Sequence, residues 1–185
     1  MIHLVTGMQG SGKTLYLVKK AYESYLKGKI VYSNVNLHFP FKQLDYNDIV
    51  ECNLENAIVI IDEGHQLLPS RKSLSAINIS IVDGFLSMVR KKGLELYFST
   101  QTERKIDVRV REESDYKYLC EKWAFIKGKW SHVTESEDLD ISIPIIISVM
   151  IYQSFSGAII QTSFSGNPYF RLFDTKQIIK VRGIK

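Results

Sequence analysis

Gly7-Met8-Gln9-Gly10-Ser11-Gly12-Lys13-Thr14 matches G-x-x-x-x-G-K-[ST] at every fixed position. Glycines at these points let the backbone curl until successive N–H groups face inward, which makes a nest for phosphate oxygens. A helix starting at Lys13 adds its positive N-terminal end. Lys13 then reaches the β- and γ-phosphates of a nucleoside triphosphate, and the Thr14 hydroxyl holds Mg²⁺. Gly7, Met8, Gln9, Gly10, Ser11, Gly12, Lys13, Thr14 and Leu15 are the expected cofactor-binding stretch, with Lys13 also catalytic. Average composition yields such a match in a chain of this length less than about 1% of the time, which disfavours an ordinary glycine-rich turn.

Ile58-Val59-Ile60-Ile61-Asp62-Glu63 is an apolar run that ends in two carboxylates. Ligands gather at the carboxyl ends of strands in α/β sheets, so Asp62 is the expected metal partner beside Thr14. Strand alternation points Glu63 elsewhere, toward a water in line with the γ-phosphate, where it serves as general base. A glutamate there suits ATP-driven motors of the additional-strand class better than switch GTPases. The chain has no Asn-Lys-x-Asp guanine signature, so ATP is preferred over GTP.

Leu94 to Gln101 reads as a strand beside the acidic one, with Gln101 holding the attacking water or sensing the nucleotide. Arg104-Lys105-Ile106-Asp107-Val108-Arg109-Val110-Arg111 follows with four cations and one acid. In an extended segment Arg109 and Arg111 face one side, and either is the candidate arginine finger for a neighbouring subunit. Arg90-Lys91-Lys92 is a second basic patch; it suits both a helix C-terminus and phosphate contacts to DNA without sequence preference. His65 stands alone, without ligand partners at metal spacing.

Positioning these groups takes strands that alternate with helices. Ile2 to Val5 reads as a strand into the loop, Lys13 to Lys27 as a helix with Leu15, Val18, Tyr22 and Leu26 on one face. Lys29 to Ser33 and Ala57 to Ile61 read as strands, and Leu74 to Lys92 as a helix with Ile77, Ile81, Phe85, Met88 and Val89 inward. From about Trp123 the pattern is strand-rich. The expected fold is an α/β P-loop NTPase, RecA-like and of the additional-strand class. Its mainly parallel sheet is covered by helices and has a β-rich C-terminal part. One domain spans 1–185, with a core at 1–122 and an extension at 123–185. A chain of 185 residues with 45% hydrophobic and 24% charged residues suits one globular domain. The net charge of +4 permits contact with phosphate or a membrane surface without demanding it. Two cysteines, Cys52 and Cys120, are too few for a disulfide scaffold and read as buried thiols. Ile141 to Phe170 carries no charge and is long enough to span a bilayer. Its prolines, glycines, glutamines and β-branched core instead read as two strands around a turn. The opening run has no basic leader, so no signal peptide is expected.

Val5-Thr6-Gly7-Met8-Gln9-Gly10-Ser11-Gly12-Lys13-Thr14-Leu15 resembles the start of the zonula occludens toxin-like (Zot) family. That family includes the assembly ATPases of filamentous phages, within the HerA/FtsK group of DNA-pumping motors. The likeness continues through Ser33-Asn34-Val35-Asn36-Leu37, then Ile60-Ile61-Asp62-Glu63 with Arg71, then Arg90-Lys91-Lys92-Gly93-Leu94 leading to Gln101. It thins after Gln101 and returns at Phe173-Asp174-Thr175-Lys176-Gln177-Ile178-Ile179. The Ile106-Asp107-x-Arg109 spacing is similar to that of the motor group and favours Arg109 as the finger. The resemblance implies Mg²⁺-ATP hydrolysis, a hexamer-like homo-oligomeric ring, DNA in its channel, and a capsid or membrane assembly partner. It also implies work in the host cytoplasm, peripheral to a membrane or at a virion vertex. The phage assembly proteins carry a membrane span and a further domain after this region, whereas this sequence stops at Lys185. The expectation is a soluble viral packaging ATPase if the chain is whole, and a missing anchor if it is a fragment. Two alternatives stay open: a nucleotide-gated scaffold with little hydrolysis, and a small-molecule or nucleotide kinase.

Overall fold

Strands of uninterrupted apolar residues are buried on both faces, so they need helices on both sides. The computed structural model describes residues 1–51, 53–64, 76–133 and 142–174. Cys52, His65, Arg71 and positions 175–179, all named in the sequence expectations, lie outside these, as do the side chains of 76–82. The described strands are β1 (Ile2–Thr6), β2 (Ile30–Ser33), β3 (Lys42–Gln43), β4 (Ala57–Ile61), β5 (Glu95–Thr100), β6 (Tyr116–Ile126), β7 (Lys129–His132), β8 (Ile145–Gln153) and β9 (Ile159–Ser165). They form one sheet in the order β3-β2-β4-β5-β1-β6-β8-β9, with β7 paired to β6. Pairings from β3 through β6 are parallel, and those of β7, β8 and β9 are antiparallel. The sheet is therefore mixed, as the strand-rich C-terminal part leads one to expect. That part begins earlier than the sequence suggests, since β6 starts at Tyr116 and runs through residue 122.

The helices are α1 (Lys13–Leu26), α2 (Tyr46–Val50), α3 (Ala76–Lys91) and α4 (Val108–Glu113). Leu15, Val18 and Ala21 of α1 pack with Val5, Ile58, Ile60 and Tyr97 on one face. Phe85 and Val89 of α3 and Val110 of α4 pack with Leu4, Val59, Ile61 and Phe98 on the other. Each fully buried side chain of this size contributes about 1.5–3 kcal/mol. Leu26 departs from the expected apolar face and is exposed, in the last turn of α1.

The order places β5 between β1, which feeds the glycine-rich loop, and β4, which feeds the acidic pair. That is the additional strand expected from the sequence. The chain leaves β1 through α1 toward β2 on one side and reaches β6 on the other. β1 is thus a switch point of the sheet, where a ligand crevice opens beyond the strand ends.

The basic segment after β5 is not extended. Glu103–Lys105 form a 3-10 turn and Val108–Glu113 form α4, which Asp107 caps by accepting from the Arg109 N–H at 2.9 Å. Positions two apart on a helix point to different sides, so Arg109 and Arg111 do not share a face. The uncharged stretch after Ile141 forms β8 and β9 where it is described. Among the described residues no helix is long and apolar enough to cross a membrane.

At the opposite end of the sheet from the loop, His3 is buried and stacked at 4.1 Å on Tyr97, with Tyr116 and Tyr118 around it. Its Nδ1 lies 2.8 Å from the Tyr118 hydroxyl. Burial pushes the imidazole pKa down to about 4, against a smaller pull upward from Glu95. The folded chain therefore keeps His3 neutral where the unfolded chain already takes up a proton. Stability is expected to be level above pH 6.5 and to fall as pH drops from 6.5 to about 4, by up to about 3 kcal/mol from this group. Urea midpoints at pH 7.5 and 4.5 should differ less in His3→Phe than in the parent; equal pH dependence would remove His3 from the acid sensitivity.

Candidate nucleotide site

The loop from Gly7 to Gly12 links β1 to α1, and its glycines are required by space as well as by backbone. Gly7 has φ +146° and Gly12 φ +92°, values that side chains rarely adopt. A Cβ on Gly7 would stand 2.5 Å from the Ser11 hydroxyl and 2.7 Å from the Cys120 carbonyl oxygen. One on Gly12 would stand 2.5 Å from Ile147 Cδ1. β6 and β8 thus press on the loop and set its shape. Burial pushes the neighbouring Cys120 thiol up to about 12, so it stays protonated and inert.

Lys13 is buried, and its ammonium donates to the carbonyls of Gly7 at 3.0 Å and Met8 at 2.9 Å. The charge therefore sits over the loop, while Met8 and Gln9 form an exposed rim. Thr14 Oγ1 donates to Asp62 Oδ2 at 2.6 Å, joining the start of α1 to the end of β4. A hydroxyl beside a carboxylate is a donor set for a hard divalent cation. The glycine cradle fits a phosphate chain, since its backbone approaches without side chains in the way.

Asp62 is held from three directions. Its N–H donates to Asn34 Oδ1 and its carbonyl accepts from Asn34 Nδ2, both at 2.8 Å. Its Oδ1 accepts from the Ser99 hydroxyl, and that same hydroxyl accepts from the Glu63 N–H at 2.9 Å. Ser99 and Asn34 are buried. β4 ends at Ile61, so Asp62 and Glu63 stand in a turn, not on a strand. Glu63 has φ +51°, a strained conformation for a residue with a Cβ. Its direction is set by that left-handed turn and the Ser99 bond, in place of the strand alternation expected from sequence.

The Thr14–Asp62 bond brings Lys13 and Thr14, at the start of α1, beside Asp62 and Glu63, which follow β4. Gln101 lies one residue past β5, and its Oε1 accepts from Lys105 Nζ at 2.9 Å. Arg109 is clamped by the buried Asp107 carboxylate, through Nε at 2.9 Å and Nη2 at 2.7 Å. That guanidinium holds the Asp107 carboxyl below its ordinary range. Arg111 Nε is buried with no hydrogen-bond partner among the described residues. Arg90 pairs with Asp115 at 2.9 Å and Lys92 approaches Glu55 at 3.8 Å, so the end of α3 is partly neutralised. Sequence reasoning gave Ser99 and Asn34 no role, although each sits where an apolar strand turns polar.

The family model described as Zonular occludens toxin (Zot) matches residues 40–156, which include the acidic pair and β5. The chain is 30% identical over 136 residues to the Gene 1 protein of Enterobacteria phage I2-2, and it spans 37% of the length of that relative against 60% of its own. Its fold is similar to the crystal structure of the N-terminal domain of zonular occludens toxin from Neisseria meningitidis, with TM-score 0.63 and 18% identity over 94% of this chain and 98% of that one. It is also similar to the genome packaging NTPase B204 of Sulfolobus turreted icosahedral virus 2 in complex with ATP-gammaS, with TM-score 0.54 and 15% identity over 86% of this chain and 95% of that one. The P-loop NTPase fold and the family match agree with the resemblance carried by the loop and the acidic pair: the chain belongs to the Zonular occludens toxin (Zot) family.

Proposed function

We propose that this chain is an ATP-hydrolysing motor domain that drives viral or phage DNA packaging or extrusion during virion assembly. The observation that carries the reading is the Ser99 hydroxyl, which ties the Asp62 carboxylate to the Glu63 backbone beside Thr14. A site that only bound nucleotide would have no need to brace a second acid in a strained turn. Further support comes from the likeness in fold to a genome packaging NTPase that binds an ATP analogue and in sequence to a phage Gene 1 protein.

In this reading the loop N–H groups and Lys13 bind the phosphate chain and stabilise the charge that develops on it. Thr14 and Asp62 would hold Mg²⁺, which would supply positive charge beside the phosphates. Asn34 and Ser99 keep Asp62 oriented. Glu63 takes a proton from the attacking water at its carboxylate, and Gln101 orients that water once its amide leaves Lys105. The finger role falls to Arg111 rather than Arg109, whose guanidinium is taken up by Asp107. Such a finger acts across the contact between copies in a homo-oligomeric ring. Contacts to DNA run through its phosphates and carry no sequence preference. Phosphate release with and without Mg²⁺ and DNA tests the function as a whole.

Ser99→Ala is expected to lower kcat about 10- to 100-fold, the usual cost of losing a group that orients a metal ligand, with little change in KM for ATP. Ser99→Thr keeps a hydroxyl and should recover most of the rate. Turnover of Ser99→Ala at the parent rate would show that the bridge does not position the acids.

A further inference from the structure

We propose that the hairpin of β6 and β7 binds single-stranded DNA by stacking unpaired bases on Phe125 and Trp130, with lysines at its tip against the phosphates. The site rests on the motor reading above and says where, and in which form, the motor holds DNA. Pairing of β1 with β6 stops at Thr6 and Leu119. β6 runs on to Ile126, past the point where β1 gives way to the phosphate loop. β7 returns along it, with Trp130 opposite Phe125 and His132 opposite Trp123. Lys127 and Gly128 close the hairpin with φ +50° and +79°, the left-handed pair that a tight two-residue turn requires. The hairpin thus projects from the nucleotide end of the sheet. Its root lies against the loop, since a Cβ on Gly7 would stand 2.7 Å from the Cys120 carbonyl oxygen.

Alternation along β6 sends Tyr118, Cys120 and Ala124 to the face that α1 covers and Leu119, Glu121, Trp123 and Phe125 to the other. On that other side α3 and α4 pack with β1, β4 and β5. Leu119, Phe125 and Trp130 stay 42%, 41% and 44% exposed. Phe125 and Trp130 meet edge to face at 5.4 Å, and Trp123 and His132 do so at 5.3 Å. Edge-to-face contact fixes the rings without stacking them on each other, so it leaves ring surface for a further flat group.

Charge identifies the occupant. From Tyr116 to Val133 the sequence has four lysines and one acid, Glu121. Lys127 and Lys129 are exposed at the tip. Lys117, on the aromatic face of β6, donates to Glu103 at 3.1 Å, and the exposed Arg104 stands next to that glutamate. Cations therefore flank the rings at both ends of the face. The centre of a protein–protein contact is depleted in lysine, whereas rings among cations suit a polyanion that carries flat groups. In a duplex the base faces are stacked on one another, so only an unpaired strand can present them to Phe125 and Trp130. Every base has such a face, so stacking adds affinity without sequence preference.

Anisotropy of labelled oligothymidylate with the full chain tests the site, beside a duplex and an abasic strand of equal length. The parent should bind the single strand at least about tenfold more tightly than either control. Both tryptophans of the chain, Trp123 and Trp130, are in the hairpin, so binding should also quench its intrinsic fluorescence. Phe125→Ala and Trp130→Ala should each weaken the single strand about tenfold, the loss of one stacking partner. Phe125→Tyr keeps the ring and should keep the affinity. Changing Lys127 and Lys129 together to Gln should lower the salt slope by about 1. ATP affinity and DNA-free turnover should stay at the parent values in every variant. Parent-like strand affinity in both alanine variants would overturn the proposal, as would equal affinity of the parent for duplex or abasic strand. So would a smaller solution mass of Trp130→Ala at unchanged strand affinity, which would make this face a contact between copies. A parent that binds the strand in this way but never turns over ATP would contradict the motor reading and leave the hairpin site standing.

Discussion

Lys13→Ala is expected to abolish detectable Mg²⁺-ATP binding and to lower turnover by at least roughly 10²–10³-fold, the scale of losing one preorganised donor at a developing charge. Lys13 is the one cation inside the loop's curve, with its ammonium on the Gly7 and Met8 carbonyls. The loop N–H groups remain in the variant, but no full charge offsets the β- and γ-phosphates. Thermal melting, measured beside ATP binding, shows that the variant is folded. Calorimetry with ATP on folded Lys13→Ala measures the effect; parent-like affinity would mean that phosphate is not held at this loop.

Glu63→Gln should separate binding from chemistry. Glutamine keeps the side-chain shape, the left-handed turn and the N–H bond to Ser99, and loses only the carboxylate that accepts a proton. ATP affinity should stay at the parent value while turnover falls by roughly 10²–10⁴-fold. Unchanged turnover would take Glu63 out of the mechanism and leave proton removal to another group.

The phosphate loop was legible because its residues are dictated by local sterics: only glycine tolerates φ +92° with Ile147 against it. Strands were legible where both faces are apolar, as in Ala57–Ile61. The segment from Arg104 to Arg111 misled because Val-Arg-Val-Arg alternates like a strand. The signal against that reading was Asp107, an N-cap residue placed just before the run. Leu26 continues the apolar stripe of α1 into an exposed last turn, a boundary that periodicity alone does not mark. Ser99 and Asn34 escaped because their importance is relational. Each is an ordinary polar residue at a strand end until the order β2-β4-β5 brings all three ends to Asp62. Glu63 follows the apolar strand as its sequence position indicates, yet its left-handed backbone was invisible, since nothing local in Asp62-Glu63 requires it.

Phosphate release by the purified chain tests the motor reading most directly, measured with Mg²⁺-ATP alone and with single- or double-stranded DNA, beside Glu63→Gln at equal ATP occupancy. The expected result is Mg²⁺-dependent turnover that rises with DNA of any sequence and collapses in Glu63→Gln. Parent chain saturated with ATP that releases phosphate no faster than Glu63→Gln under every one of these conditions would contradict it.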